Sequence, residues 1–91
     1  MNLEFDQDKR DQTLRERGLD FARAAEVFEG VYFTGRDERF EYEEERFITI
    51  GHLDTRLVVL VWTPRDKVRR IISMRKANAR EKAIYDKELD R

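Results

Sequence analysis

The sequence contains no cysteine and a single histidine, so few side chains that commonly bind metals are available. Without cysteine, neither a disulfide framework nor a thiolate-ligated metal site can form. One imidazole, that of His52, also argues against a histidine-based metal centre. We therefore predict a protein that uses no metal ion and no other cofactor.

A long hydrophobic segment is missing as well. The longest strictly apolar run, Leu57–Trp62, has six residues, whereas a helix needs about 20 to cross a bilayer. The first residues, Met1 to Asp6, include two acids, where a secretory signal needs basic residues followed by an apolar stretch. The sequence thus predicts a protein of the cytoplasm that does not enter a membrane.

The overall charge is almost balanced, because the 91 residues carry 19 basic and 20 acidic side chains. Residues 1–63 hold 9 basic and 15 acidic side chains, a net of −6, and residues 64–91 hold 10 and 5, a net of +5. The small net charge and an aromatic content of 11% favour a folded chain. The length of the chain predicts one domain, residues 1–91. The separation of acidic and basic side chains between these two segments predicts a basic functional surface near the C-terminal end.

Proline and glycine are scarce, with one and four residues, and no linker rich in them divides the chain. Asp6 is a typical cap for a helix over about residues 7–17, which Gly18 ends. Asp20 is a cap for a second helix, with apolar residues at helical spacing, which Gly30 ends. The short turn between the two helices predicts an antiparallel helix pair.

From residue 31 the hydrophobic period changes from that of a helix to that of a strand. The alternation predicts strands over Val31–Thr34, Glu45–His52, Leu57–Thr63 and Val68–Arg75. Their short connections predict an antiparallel meander, and the strand that is apolar on both faces, Leu57–Thr63, should be central. With a closing helix from Ala77 to about Leu89 and a short edge strand allowed at Asn2–Phe5, the fold class is α+β.

The basic C-terminal third carries side chains suited to metal-free cleavage of RNA. That reaction needs a base for the 2′-hydroxyl, cations for the pentacoordinate phosphate and an acid for the leaving 5′-oxygen. The candidates are Arg69, Arg70, Arg75, Lys76, Arg80, Glu81, Lys82 and Tyr85. In a regular strand Arg70 and Arg75 lie on opposite faces, whereas Glu81 and Tyr85 share one helix face. The alternative is that these charges only solvate an edge strand and an exposed helix.

Three other features each have more than one interpretation. His52 is either a general acid or base, since imidazole titrates near neutral pH, or a solvent-facing residue at a strand end. Trp62 either stacks on a base or fills the core. The six carboxylates of Asp37–Glu45 are solvated, hold a divalent cation or meet a basic partner.

The order and spacing of several blocks resemble the BrnT family of toxins from bacterial type II toxin–antitoxin systems. The resemblance covers almost the whole chain, and its most specific block is Arg70–Ala77, followed by Glu81 and Tyr85. The other blocks are Phe5-Asp6 with Lys9, Gly18–Phe21, Ala24–Phe28 and Glu44–Gly51.

The resemblance implies a compact fold similar to RelE-type ribonucleases and a toxin that blocks growth by cleaving RNA. It also implies neutralisation by a BrnA-like antitoxin with a ribbon-helix-helix DNA-binding part, and binding of promoter DNA only by the toxin–antitoxin complex. By position, the recurrent polar residues of the family are Arg46, Arg70, Arg75, Lys76, Glu81 and Tyr85.

From this resemblance we expect Arg75 and Arg70 to neutralise the phosphate. Glu81 or Lys76 would transfer protons, and Tyr85 or Trp62 would position a base. The first helix departs from the family, which usually has Asn, Lys and His where this chain has Thr13, Glu16 and Arg17. An arginine there cannot act as a base, which favours the alternative of a weak or inactive homologue that binds antitoxin and regulates a promoter. A third interpretation is a housekeeping RNA-binding domain.

Overall fold

The computed structural model describes residues 2–89 and confirms the α+β class. Its elements are β1 (Asn2–Phe5), α1 (Gln7–Arg17), a 3-10 turn (Phe21–Arg23), α2 (Ala24–Glu29), β2 (Tyr32–Arg36), β3 (Phe47–Leu53), β4 (Arg56–Arg65), β5 (Val68–Lys76) and α3 (Ala79–Leu89). Within residues 2–89, no helix has the length and apolar character needed to cross a membrane.

The five strands form one mixed sheet with the order β1-β5-β4-β3-β2. Strands β2 to β5 form the predicted antiparallel meander. The edge strand β1 is present too, but it runs parallel to β5, with Asn2 opposite Val68. Strand β4 is central as predicted, and Val58–Thr63 are all buried.

The N-terminal helices differ from the predicted pair. Helix α1 has the expected ends, because Asp6 accepts a hydrogen bond from the Lys9 N–H at 3.0 Å and Gly18 has a φ of 69°. The segment after Asp20 is not one continuous helix: it begins as the 3-10 turn and continues as α2, which has only six residues. The antiparallel pair is therefore not confirmed, since α1 packs against the 3-10 turn while α2 packs on β3.

The larger core lies between the sheet and the N-terminal helices, and Trp62 belongs to it. Only 8% of Trp62 is exposed. Its indole N–H donates to Thr49 Oγ1 at 2.8 Å, and its ring packs against those of Phe28 and Phe47. The core interpretation of Trp62 is confirmed, and its expected role in positioning a base is wrong because the ring is not accessible.

A β-bulge in β5 changes which side chains share a face of the sheet. The pairing register shifts between Val61 and Trp62, so that Arg75 lies opposite Val59 and Arg70 opposite Thr63. Val59 and Thr63 are four residues apart on β4 and point to the same face. The extra residue in β5 therefore places Arg70 and Arg75 on that one face, and the prediction from a regular strand is wrong.

Candidate functional site

The junction between β5 and α3 brings Arg75, Lys76 and Glu81 together. Buried Ala77 follows the strand, and its N–H donates to the Leu57 carbonyl at 2.9 Å. Asn78 then caps α3: its Oδ1 accepts from the Glu81 N–H at 2.8 Å, and Glu81 Oε1 accepts from the Asn78 N–H at 2.9 Å. This reciprocal capping box starts the helix two residues later than predicted and fixes the Glu81 side chain.

Arg75 and Glu81 form a two-pronged ion pair. Arg75 Nη1 donates to Glu81 Oε1 at 2.7 Å and Nη2 donates to Oε2 at 2.6 Å. These hydrogen bonds lower the pKa of Glu81 against the opposing effect of burial, so Glu81 is ionised at neutral pH. The Arg75 side chain remains 38% exposed, compared with 16% for Glu81. The guanidinium is thus oriented by the pair and still reachable from solvent.

Arg39, from the loop between β2 and β3, adds positive charge to this pair. Its positive charge lowers the pKa of Glu81 further. It also repels the charge of Arg75, which acts to lower the Arg75 pKa against the larger raising effect of Glu81. Buried Asp37 holds Arg39 in place by accepting from Nε and Nη2, both at 2.8 Å, and also accepts from the Tyr42 hydroxyl at 3.2 Å. The acidic segment of the sequence therefore supplies a positioned cation.

Arg75 and Lys76 also line a cavity of about 430 Å³ together with Glu16 and Arg17 of α1. Arg17 Nη1 donates to the Met74 carbonyl at 2.9 Å. Glu16 and Arg17 of the first helix thus lie beside two of the predicted site residues.

Tyr85 lies in a separate cavity, also of about 430 Å³, whose other polar lining residues include His52, Arg56, Lys76 and Lys82. The Tyr85 hydroxyl donates to the Val31 carbonyl at 2.9 Å and lies 3.4 Å from His52 Nδ1. The two rings meet edge to face, with their centroids 5.4 Å apart. Lys76 lines this cavity and the cavity next to α1.

Arg46 and Arg70 lie elsewhere, in a chain of ion pairs. Arg70 Nη1 is 2.6 Å from Glu4 Oε1, which is 3.6 Å from Arg65 Nη1. Arg65 lies 4.0 Å from Glu44, which lies 3.5 Å from Arg46 Nε. Since the opposing β4 residues are four apart, the Cα atoms of Arg70 and Arg75 are separated by about 13 Å along the sheet.

Residues 5–81 match the family model described as ribonuclease toxin, BrnT, of type II toxin-antitoxin system. The chain belongs to the BrnT toxin family. The match includes Arg46, Arg70, Arg75, Lys76 and Glu81, whereas Tyr85 follows it. No curated protein matches the sequence. Family membership identifies the chain as a ribonuclease toxin of a type II system, which has an antitoxin partner and an RNA substrate.

In this BrnT-family toxin, two positioned residues, Arg39 and Arg56, are absent from the set of site residues predicted from the sequence. Arg39 lies within the acidic segment Asp37–Glu45, and its position two residues after Asp37 fits a turn in which the Arg39 N–H donates to Asp37 Oδ1. Arg56 is four residues from His52 across the turn between β3 and β4, in which Leu53 pairs with Arg56, so this turn was the local signal for their proximity. Among residues 2–89, no three side chains of the His, Cys, Asp and Glu types converge as metal ligands would.

Proposed function

We propose that this toxin is an endoribonuclease that cleaves RNA in the cytoplasm without a metal ion. The observation that carries the proposal is the Arg75–Glu81 pair, which presents a partly exposed guanidinium beside Lys76. A guanidinium held in this way can donate two hydrogen bonds to the pentacoordinate phosphate, where negative charge develops. We also propose a RelE-like fold for the chain, on the basis of the resemblance of its sequence to the BrnT family.

Lys76 is the better candidate for proton transfer. Glu81 is a weak base at neutral pH, because its pKa is lowered by Arg75 and its two oxygens accept hydrogen bonds from Arg75 and Asn78. Lys76 is exposed and lines both cavities beside the junction. We propose that Lys76 protonates the leaving 5′-oxygen, while Glu81 positions Arg75.

Arg70 and Arg46 are proposed to bind other phosphates of the same RNA strand. Arg70 shares its sheet face with Arg75, and the ion pairs with Glu4 and Glu44 hold both guanidinium groups at the far end of that face. Substitution of either residue should weaken RNA binding more than the chemical step.

The test is incubation of the purified toxin with RNA in excess EDTA, followed by analysis of the new ends. The proposed mechanism gives 2′,3′-cyclic phosphate or 3′-phosphate ends together with 5′-hydroxyl ends. Cleavage that needs a divalent cation, or that leaves 3′-hydroxyl ends, would contradict the mechanism without affecting family membership.

The proposed antitoxin is a BrnA-like ribbon-helix-helix protein, and only the complex is proposed to bind promoter DNA. Expression of the toxin alone should arrest bacterial growth, and co-expression of the small protein encoded beside it should restore growth. Gel-shift assays with the promoter should show a complex only when both proteins are present.

A catalytically weak homologue is the second candidate, and the contact of Arg17 with the Met74 carbonyl favours it. That contact occupies a guanidinium where the family usually has a histidine. The double variant Glu16→Lys/Arg17→His restores the usual residue types. Growth arrest by the double variant but not by the unmodified toxin would support this candidate. Growth arrest by the unmodified toxin would contradict it.

A further inference from the structure

The cavity around His52 combines an imidazole with several cations. His52 is the only histidine of the chain, and it is exposed near the end of β3. Arg56 reaches the cavity from β4, Lys76 from the end of β5, and Lys82 from α3. Asp86 is the acid in the lining, so these three cations leave an excess of positive charge.

The contact with Tyr85 indicates which nitrogen of neutral His52 carries the proton. A tyrosine hydroxyl has one proton, and the shorter contact, 2.9 Å to the Val31 carbonyl, uses it. The longer contact of 3.4 Å to His52 Nδ1 is then favourable only if Nδ1–H donates to the tyrosine oxygen. In that tautomer Nε2 is the unprotonated nitrogen, available to accept a proton.

We propose, on the basis of the proposed ribonuclease function, that His52 is the general base and that its cavity binds the phosphodiester to be cleaved. His52 Nε2 removes the proton of the 2′-hydroxyl, and the 2′-oxygen forms a bond to phosphorus. The bond from phosphorus to the 5′-oxygen breaks, and that oxygen takes a proton from the Lys76 ammonium. The products are a 2′,3′-cyclic phosphate and a 5′-hydroxyl, and solvent returns the imidazolium and the amine to their starting states.

The remaining residues of the cavity have supporting roles. Arg56 and Lys82 bind the non-bridging phosphate oxygens, where their charge stabilises the transition state. Tyr85 is a positioning residue, because it acts on the substrate only through His52.

His52→Gln tests the base directly, with RNA cleavage measured in EDTA and a thermal melt as the check on folding. Loss of a general base lowers the cleavage rate by about 100-fold or more. Lys82→Gln should also lower the rate, and Lys67→Gln, which removes the same charge from the exposed β4–β5 turn, is its matched control. A folded His52→Gln variant with the unmodified rate would overturn the inference and leave the ribonuclease proposal standing.

A binding experiment tests the cavity independently of cleavage. Because there is one histidine, nitrogen NMR of the imidazole gives a single pair of signals. Free toxin should show the Nδ1–H tautomer, and Tyr85→Phe should shift the tautomer balance. Addition of 2′-deoxynucleoside 3′-monophosphates, which cannot be cleaved, should move the His52 signals of the unmodified toxin and move them less in Lys82→Gln. Signals that do not respond to the nucleotide would refute the cavity assignment even if RNA is cleaved, whereas responding signals without any cleavage would refute the ribonuclease proposal.

Discussion

Replacement of Arg75 by lysine should separate catalysis from folding. The Arg75 guanidinium makes two hydrogen bonds to Glu81, and a lysine, which presents a single point charge, cannot reproduce both. Because the Arg75 side chain is 38% exposed, weakening this pair should cost at most about 1 kcal/mol of the free energy of unfolding. Loss of a contact to the transition state should cost about 3–4 kcal/mol of activation free energy, a 100- to 1000-fold lower rate.

The assay for Arg75→Lys compares the rate of RNA cleavage in EDTA with the melting temperature and with antitoxin binding in a pull-down. We expect the melting temperature to fall by no more than about 8 °C, antitoxin binding to persist and most cleavage to be lost. Arg10→Lys is the matched control, because Arg10 makes a similar two-pronged pair with Asp20, at 2.8 and 2.9 Å, away from the β5–α3 junction. That variant should retain its cleavage rate.

Two results would refute the reasoning about Arg75. A folded Arg75→Lys toxin with full activity would show that the guanidinium does not contact the transition state. Unfolding, or loss of antitoxin binding, would show that Arg75 belongs to the scaffold. Either result would make Arg46 and Arg70 the leading phosphate-binding candidates.

Three further perturbations test the fold and the basic surface. Gly51→Ala should lower the free energy of unfolding by about 1–3 kcal/mol, because the added Cβ would lie 2.8 Å from Val27 Cγ1. Gly35→Ala is the control, since the atom nearest to its added Cβ is 3.8 Å away. Urea unfolding measures the free energy of both variants. Hydrogen bonds from Arg39 lower the pKa of Asp37 from 3.8 to about 2, so the carboxylate stabilises the β2–β3 loop above about pH 4 and loses this effect as the pH falls towards 2. Near-ultraviolet circular dichroism should follow that loss, and Asp37→Asn should remove it from the acid transition. RNA affinity should fall as salt rises, because each neutralised phosphate releases counterions; a flat affinity between low and moderate salt would exclude the basic surface as the RNA site.

Local patterns predicted much of the fold because local forces determine those parts. The apolar character of both faces of Leu57–Thr63 placed β4 at the centre of the sheet, since only a covered strand can bury both faces. The capping side chain of Asp6 and the left-handed φ of Gly18 act within one turn of α1, and both were predicted correctly.

The local sequence pattern does not specify which distant segments of the chain pair as strands. The sequence allowed a short edge strand at Asn2–Phe5, but nothing local specifies that β1 pairs in parallel with β5. The bulge in β5 carries no glycine or proline signal, and it alone decides that Arg70 and Arg75 share a face. A one-residue change in register moves every later side chain to the other face.

The candidate site was predictable in part for the same reason. Asn78 and Glu81 have the spacing of a capping box, so the start of α3 and the orientation of Glu81 were open to prediction from the sequence. The contact of Arg75 with Glu81 depends on the turn between strand and helix, and that of His52 with Tyr85 joins residues 33 apart in the chain. Composition identified the residue types, but only the tertiary fold determines which of them meet.

Lys76 connects the departures in α1 with the cavity of His52. It lines the cavity next to Glu16 and Arg17 and also the cavity that holds the imidazole. Where the sequence resemblance leads us to expect a histidine on the α1 side of this lysine, the toxin has a guanidinium that cannot accept a proton, and its one imidazole lies on the α3 side. A base on either side could work with the same ammonium as the acid, because a flexible lysine side chain can turn to each cavity. The loss of the usual residue types from α1 is therefore compatible with an active ribonuclease, provided that the chemistry takes place on the His52 side.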